Sequence, residues 1–146
     1  MTATLPSIEI TQLLEANNVD LRLELVAGRD GLSRKISSSR IQKPGLALTG
    51  FTEHLHPERM QVFGNTEISY LRTLSDVQQQ EVLKKIFEAQ LACVVVTKGL
   101  KIPTALKEGC ETAKLSLMRT TLASSQFISQ VQAYLEEALT DRKSVV

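Results

Sequence analysis

Residues 91–96, Leu-Ala-Cys-Val-Val-Val, run six positions with neither a polar side chain nor any alternation. A strand with one wet face alternates apolar and polar residues. One that does not alternate must be covered on both faces, the situation of strands in a parallel sheet flanked by helices. This run therefore demands helices around it, and the chain supplies them. Over residues 76–89, Val82, Leu83, Ile86 and Phe87 share one helical face while Glu81 and Lys85 stand four apart on the other, with Ser75 or Asp76 placed to cap. Beyond the run, Lys98-Gly99-Leu100 turns the chain, Pro103 suits a first helical turn, and a helix through Ala113 leads to a strand over 115–119.

The same alternation of strand and helix extends in both directions. Gln61-Val62-Phe63 reads as a strand, Gly64-Asn65 as a turn, and Thr66 as the cap of a helix starting near Glu67. At the other end, Ser124 or Ser125 can cap a helix carrying Phe127, Ile128, Val131, Tyr134, Leu135, Ala138 and Leu139. Nearer the start, residues 8–18 read as a short helix capped by Ser7. Leu21, Leu23 and Leu25 alternate as a strand, and Gly28-Arg29-Asp30-Gly31 turns into a second extended stretch over 32–38. Residues 37–57 lose all periodicity around Pro44, Gly45 and Pro57 and read as the longest loop. The strands near 61, 92 and 116, joined by helices, predict an α/β fold: a small three-layer sandwich with a mostly parallel sheet. One domain over 1–140 with a polar tail at 141–146 is the expected organisation.

Charge narrows the function classes. Lys and Arg number 17 against 16 Asp and Glu, so no strong field exists to attract a polyanion, and four Phe, two Tyr and no Trp leave few stacking platforms for bases. Nucleic acid is not an expected partner. No stretch approaches the about 20 apolar residues of a membrane span, and residues 1–7 lack a basic start and apolar run, so the expected place is the cytoplasm, away from membranes. Cys93 in the apolar run and Cys110 in a polar helical segment have no paired spacing and read as reduced thiols.

Catalytic and metal patterns do not form. None of the seven glycines is followed by lysine, so the phosphate loop G-x-x-x-x-G-K-[ST] is missing from this sequence, and Gly28 and Gly31 do not make a dinucleotide fingerprint. His54, His56 and the two cysteines are zinc-ligand types without zinc spacing, and read as loop histidines and structural thiols. No G-x-S-x-G elbow marks a nucleophile. What remains is a crevice at the carboxyl ends of the predicted parallel strands. There Gly64, Asn65 and Thr66, then Thr97, Lys98 and Gly99, then Thr120, Thr121, Ser124 and Ser125 each lie between a strand and a helix. Their amides and hydroxyls, with Lys98 and Lys101, could converge on an anion near helix N-termini. Ordinary turn and cap chemistry uses the same residues.

Pro44-Gly45-Leu46-Ala47-Leu48-Thr49-Gly50-Phe51 resembles the signature stretch of the amino-terminal half of bacterial HPr kinase/phosphorylase. The run from Pro57 to Leu71, Pro-Glu-Arg-Met-Gln-Val-Phe-Gly-Asn-Thr-Glu-Ile-Ser-Tyr-Leu, resembles that family's next block. Val94-Val95-Val96-Thr97-Lys98-Gly99-Leu100 with Pro103 resembles its central strand and turn, and Ser125-Gln126-Phe127 through Tyr134-Leu135-Glu136 its final helix.

The resemblance spans nearly the whole chain and implies an amino-terminal domain similar in fold to the uridine-nucleotide-binding domain of muramyl ligases. It implies a role in regulating carbon use, because the family phosphorylates a serine of the phosphocarrier HPr with ATP or pyrophosphate and magnesium, and reverses the step with phosphate. The family's catalytic residues lie in a carboxy-terminal domain, so no catalytic residue, metal or cofactor is carried to this chain. The implied function is that of a non-catalytic regulatory or assembly domain, whose partners are the kinase domain, HPr and further copies of itself. Two alternatives stand beside it: a stand-alone sensor of a small anion or nucleotide, and a self-associating scaffold drawing on the apolar breadth of the last helix. Asp141-Arg142-Lys143-Ser144 departs from the family, as a fragment or a stand-alone chain would.

Overall fold

The computed structural model describes residues 6–140; the tail expected at 141–146 lies outside them. In chain order the elements are β1 (Ile8–Glu9), α1 (Ile10–Glu15), β2 (Leu23–Ala27), a 3-10 turn (Arg29–Gly31), β3 (Lys35–Ile36), β4 (Ile41–Gln42), α2 (Gly45–Leu48), β5 (Met60–Phe63), α3 (Asn65–Arg72), α4 (Asp76–Phe87), β6 (Cys93–Val96), α5 (Thr104–Ala113), β7 (Leu117–Thr120) and α6 (Ser124–Thr140). Five strands form one sheet in the order β2-β7-β6-β5-β4, with β4 to β7 mutually parallel and β2 antiparallel along β7.

The apolar run becomes β6, the central strand. All four of its side chains are buried, as the missing alternation requires. Cys93 and Val95 face a core shared with Ile10 and Leu13 of α1 and Phe127, Val131 and Leu135 of α6. Val94 and Val96 face the opposite core, with Leu71 of α3, Leu83 and Ile86 of α4, and Leu106 and Cys110 of α5. Removing each valine from water contributes about 1.5–3 kcal/mol, so β6 by itself supplies several kcal/mol of the driving force. The three-layer α/β sandwich expected from the sequence is the fold observed.

Several local expectations change, each for a physical reason. The first helix does not span 8–18. Ile8 and Glu9 pair with Ile36 and Lys35 as a small separate ribbon, and Glu9 rather than Ser7 precedes the helix, its amide donating to Gln12 Oε1 at 3.0 Å. The stretch 32–38 keeps only β3, pairing with β1, and Arg34 beside it is held by bonds to the carbonyls of Leu91 (2.6 Å), just before β6, and Ala113 (2.8 Å), the last residue of α5. The loop at 37–57 contains β4 and α2, because Ala47 and Leu48 bury against the core even though the surrounding residues show no period. Cys110 is buried, not part of a polar face.

Candidate functional site

The three loops predicted to converge do so at the carboxyl ends of β5, β6 and β7, and the glycine at position 64 shows how closely. A Cβ placed on Gly64 would lie 2.7 Å from Ser124 Oγ and 3.0 Å from Lys43 Nζ. Thr97, buried at the end of β6, shares a 2.5 Å hydroxyl–hydroxyl hydrogen bond with Ser124, and its amide donates to the Phe63 carbonyl at 3.1 Å. Gly64, Thr97 and Ser124 thus meet at one point. Asn65 and Thr66, the first two residues of α3, and Ser125 and Thr121 stay exposed around it.

Two side chains at this meeting point escape the sequence reading. Glu67 sits three residues into α3, buried, with Oε1 accepting from the Gly64 amide at 2.8 Å. Lys43, just after β4, brings Nζ to 3.6 Å from the same oxygen. A buried carboxylate is expensive unless paired, and the amide and the ammonium together supply that pairing. The signal for Glu67 was its place three residues after a turn glycine, where an acid reaches back to the preceding amide. Lys43 carried no local signal, since only the parallel pairing of β4 with β5 brings it there.

Thr66 does not cap α3, which starts at Asn65 after Gly64, and Ser124 is the first residue of α6 rather than its cap. The segment 97–100 is a tight turn with Lys98 (φ 60°) and Gly99 (φ 61°) both left-handed, closed by the Leu100 amide donating to the Thr97 carbonyl at 3.1 Å. That geometry turns the Lys98 and Gly99 amides inward, onto the carbonyls of Leu122 (2.8 Å) and Thr120 (2.8 Å). They are spent on the fold, while Lys98 itself is exposed. Thr120 is likewise committed: its hydroxyl donates to the Leu21 carbonyl at 2.7 Å and accepts from the Leu122 amide at 3.2 Å. Lys101 lies apart, its carbonyl accepting from Arg72 at 2.5 Å, beside a polar cavity of about 440 Å³ that also involves Asp76 and Glu108.

The thiols and histidines stay out of this crevice. Burial pushes the Cys93 thiol up to about 12. Burial also raises Cys110, against a smaller lowering by the Arg34 guanidinium. His54 stacks edge-on against Phe51 with ring centres 5.4 Å apart, and His56 Nδ1 lies 3.6 Å from Glu58. Among the described residues, no three His, Cys, Asp or Glu side chains cluster as metal ligands would, and no helix is long and apolar enough to cross a membrane.

Known proteins resemble most of this chain. Residues 8–135 match the family described as HPr Serine kinase N terminus. The HPr kinase/phosphorylase of Geobacter sulfurreducens is 50% identical over 133 residues, which cover 91% of this chain and 42% of that protein. The enzyme of the same name from Limosilactobacillus reuteri is 38% identical, over 86% of this chain and 39% of its own length. The chain therefore spans about two fifths of these relatives. Among solved structures, the CBS and DRTGG domains of the regulatory region of Clostridium perfringens pyrophosphatase, complexed with the activator diadenosine tetraphosphate, share the fold. The TM-score is 0.50 at 13% identity, over 76% of this chain and 43% of that one.

Proposed function

The chain belongs to the HPr serine kinase N-terminus family, and from that premise we propose that it is the non-catalytic regulatory or assembly domain of an HPr kinase/phosphorylase, acting in the cytoplasm on the use of carbon sources. The supporting observation is one of extent: the relatives carry more than half of their length outside the matched segment, and this sequence has no phosphate loop. The chemistry on HPr, with its ATP and magnesium, then belongs to that other part, and HPr and the kinase domain are the partners. The test mixes the purified chain with HPr, ATP and magnesium. No serine phosphate should form above a no-protein control; phosphorylation by this chain alone sinks the proposal.

A second reading, a sensor of a small anion or nucleotide, draws support from the convergence of Gly64, Thr97 and Ser124 beside Lys43, with Lys98, Thr121, Ser125, Asn65 and Thr66 exposed around them. Because the Lys98 and Gly99 amides are spent on carbonyls, that turn offers a ligand only its side chains. Calorimetry with phosphate, sugar phosphates and uridine nucleotides should show heat that Lys98→Ala abolishes. Silence at millimolar ligand, or heat that survives the substitution, removes this reading.

A further inference from the structure

The polar cavity of about 440 Å³ opens where the turn from α3 to α4 meets the start of α5, and its size falls within the about 300–1,000 Å³ of small-molecule pockets. It holds charges of both signs that do not neutralise one another. Arg72 and Lys101 line it, and so do Asp76 and Glu108. Arg72 is tied to the Lys101 carbonyl, which fixes the loop before α5 against the end of α3. Among the described residues neither carboxylate forms an ion pair, and the Lys101 ammonium has no partner either. One further group reaches the cavity from the core. Gln79 of α4 is only 8% exposed, and its Nε2 donates to the carbonyls of Leu71 (2.9 Å) and Leu74 (3.3 Å) at the end of α3. Those two bonds identify the nitrogen end of the amide, so Oε1 is the end turned away from them. It accepts no hydrogen bond among the described residues and is not sealed in by protein, so it opens on the cavity that Gln79 lines.

We propose that this cavity binds a small zwitterion of the free amino acid type, its ammonium taken by Gln79 Oε1 with the carboxylates of Asp76 and Glu108, and its carboxylate by Lys101 and the start of α5. The start of α5 suits a carboxylate. Pro103 precedes the helix without a side-chain cap, and the amides of Thr104 and Ala105, which line the cavity, donate to no group among the described residues. Ligands of a single sign fit worse. A metal ion would meet an ammonium and a guanidinium, and a phosphate would meet two carboxylates. A molecule carrying both signs answers each group, and its ammonium supplies the donor that Gln79 Oε1 lacks. This inference rests on the cavity alone, apart from the crevice at the strand ends, and does not need either reading above.

Calorimetry on the whole chain with each of the common L-amino acids in turn should show binding of at least one at millimolar concentration. Both α-charges of that amino acid should be needed. Its amide, which lacks the α-carboxylate, and its N-acetyl form, which lacks the α-ammonium, should give no heat. Glu108→Gln and Lys101→Gln should each weaken binding at least about tenfold, the loss of one charge-assisted hydrogen bond. Lys107→Gln removes the same charge from a residue of α5 outside the cavity and should leave binding unchanged. All three positions are exposed, so the variants should fold, and a circular dichroism spectrum matching the parent checks that. Silence from every amino acid, equal heat from the amide or the N-acetyl form, or binding that survives Glu108→Gln or Lys101→Gln would each overturn the proposal.

Discussion

At Gly28 the backbone passes so close to the start of β7 that an added Cβ would lie 1.9 Å from the Leu115 carbonyl oxygen, in a residue whose φ is +72°. Neither the carbonyl nor the left-handed backbone can yield cheaply, so Gly28→Ala should cost at least about 3 kcal/mol in urea unfolding. Gly64 is a different case. Its φ is −100°, and what an added methyl would meet are side-chain ends, Ser124 Oγ and Lys43 Nζ. Gly64→Ala should cost about 1 kcal/mol, and Ser124→Ala in the same chain should recover part of that loss, a coupling that a double-mutant cycle reads directly. Additive losses would show that the two positions do not touch. Gly64 was legible as a turn before a helix. Its closeness to Lys43 and Ser124 was not, because those contacts span 21 and 60 positions of the sequence.

Elements that bury a periodic face, or that are apolar without interruption, were the ones the sequence showed. The helix expected over 76–89 is α4, begun as expected at Ser75, whose hydroxyl accepts from the Gln78 amide at 3.2 Å while Gln78 Oε1 accepts from the Ser75 amide at 3.0 Å. Both bonds are local and exposed, so Ser75→Ala should lower stability by about 1 kcal/mol with an unchanged denaturant slope. No loss at all would show that the box adds nothing to the fold. β4 and α2 were illegible for the opposite reason. A two-residue strand and a four-residue helix have no period to read, and both exist through tertiary contact: β4 by pairing with β5, α2 by burying Ala47 and Leu48. The last helix, whose breadth suggested self-association, spends Phe127, Val131, Leu135 and Leu139 on the core. The apolar surface left over lies on the other side of the sheet, around α4.

For the whole molecule, the two cores each hold one thiol, Cys93 of β6 in the core with α1 and α6 and Cys110 of α5 in the core with α3 and α4. Both are held protonated by burial, and unfolding returns them to an ordinary thiol value near 9.0. A folded value above the unfolded one means that the stabilisation is complete below about pH 9 and is lost as pH rises toward 12. Each thiol then contributes a fall of up to about 1.4 kcal/mol per pH unit across that window. Unfolding free energies measured from pH 8 to 10.5 should therefore decline, and Cys93→Val, which keeps the shape and removes the proton, should decline less steeply. Equal slopes in the two proteins would mean that Cys93 titrates while folded.

By itself the sequence determined the layers. A six-residue run with no polar side chain has to be covered on both faces, and the amphipathic stretches around it can supply that cover in essentially one way. It also brought the ends of the parallel strands together as the crevice, since strand-turn-helix order alone sets three loops at one end of a sheet. Only the tertiary structure decided what those loops offer. Whether an amide faces a ligand or a carbonyl depends on the partner strand beside it, and β7 with its following turn takes the Lys98 and Gly99 amides. Whether an acid is stranded or paired depends on a neighbour distant in sequence, and β4 delivers Lys43 to Glu67. Local pattern fixes which face is apolar; long-range pairing fixes which polar groups are left over.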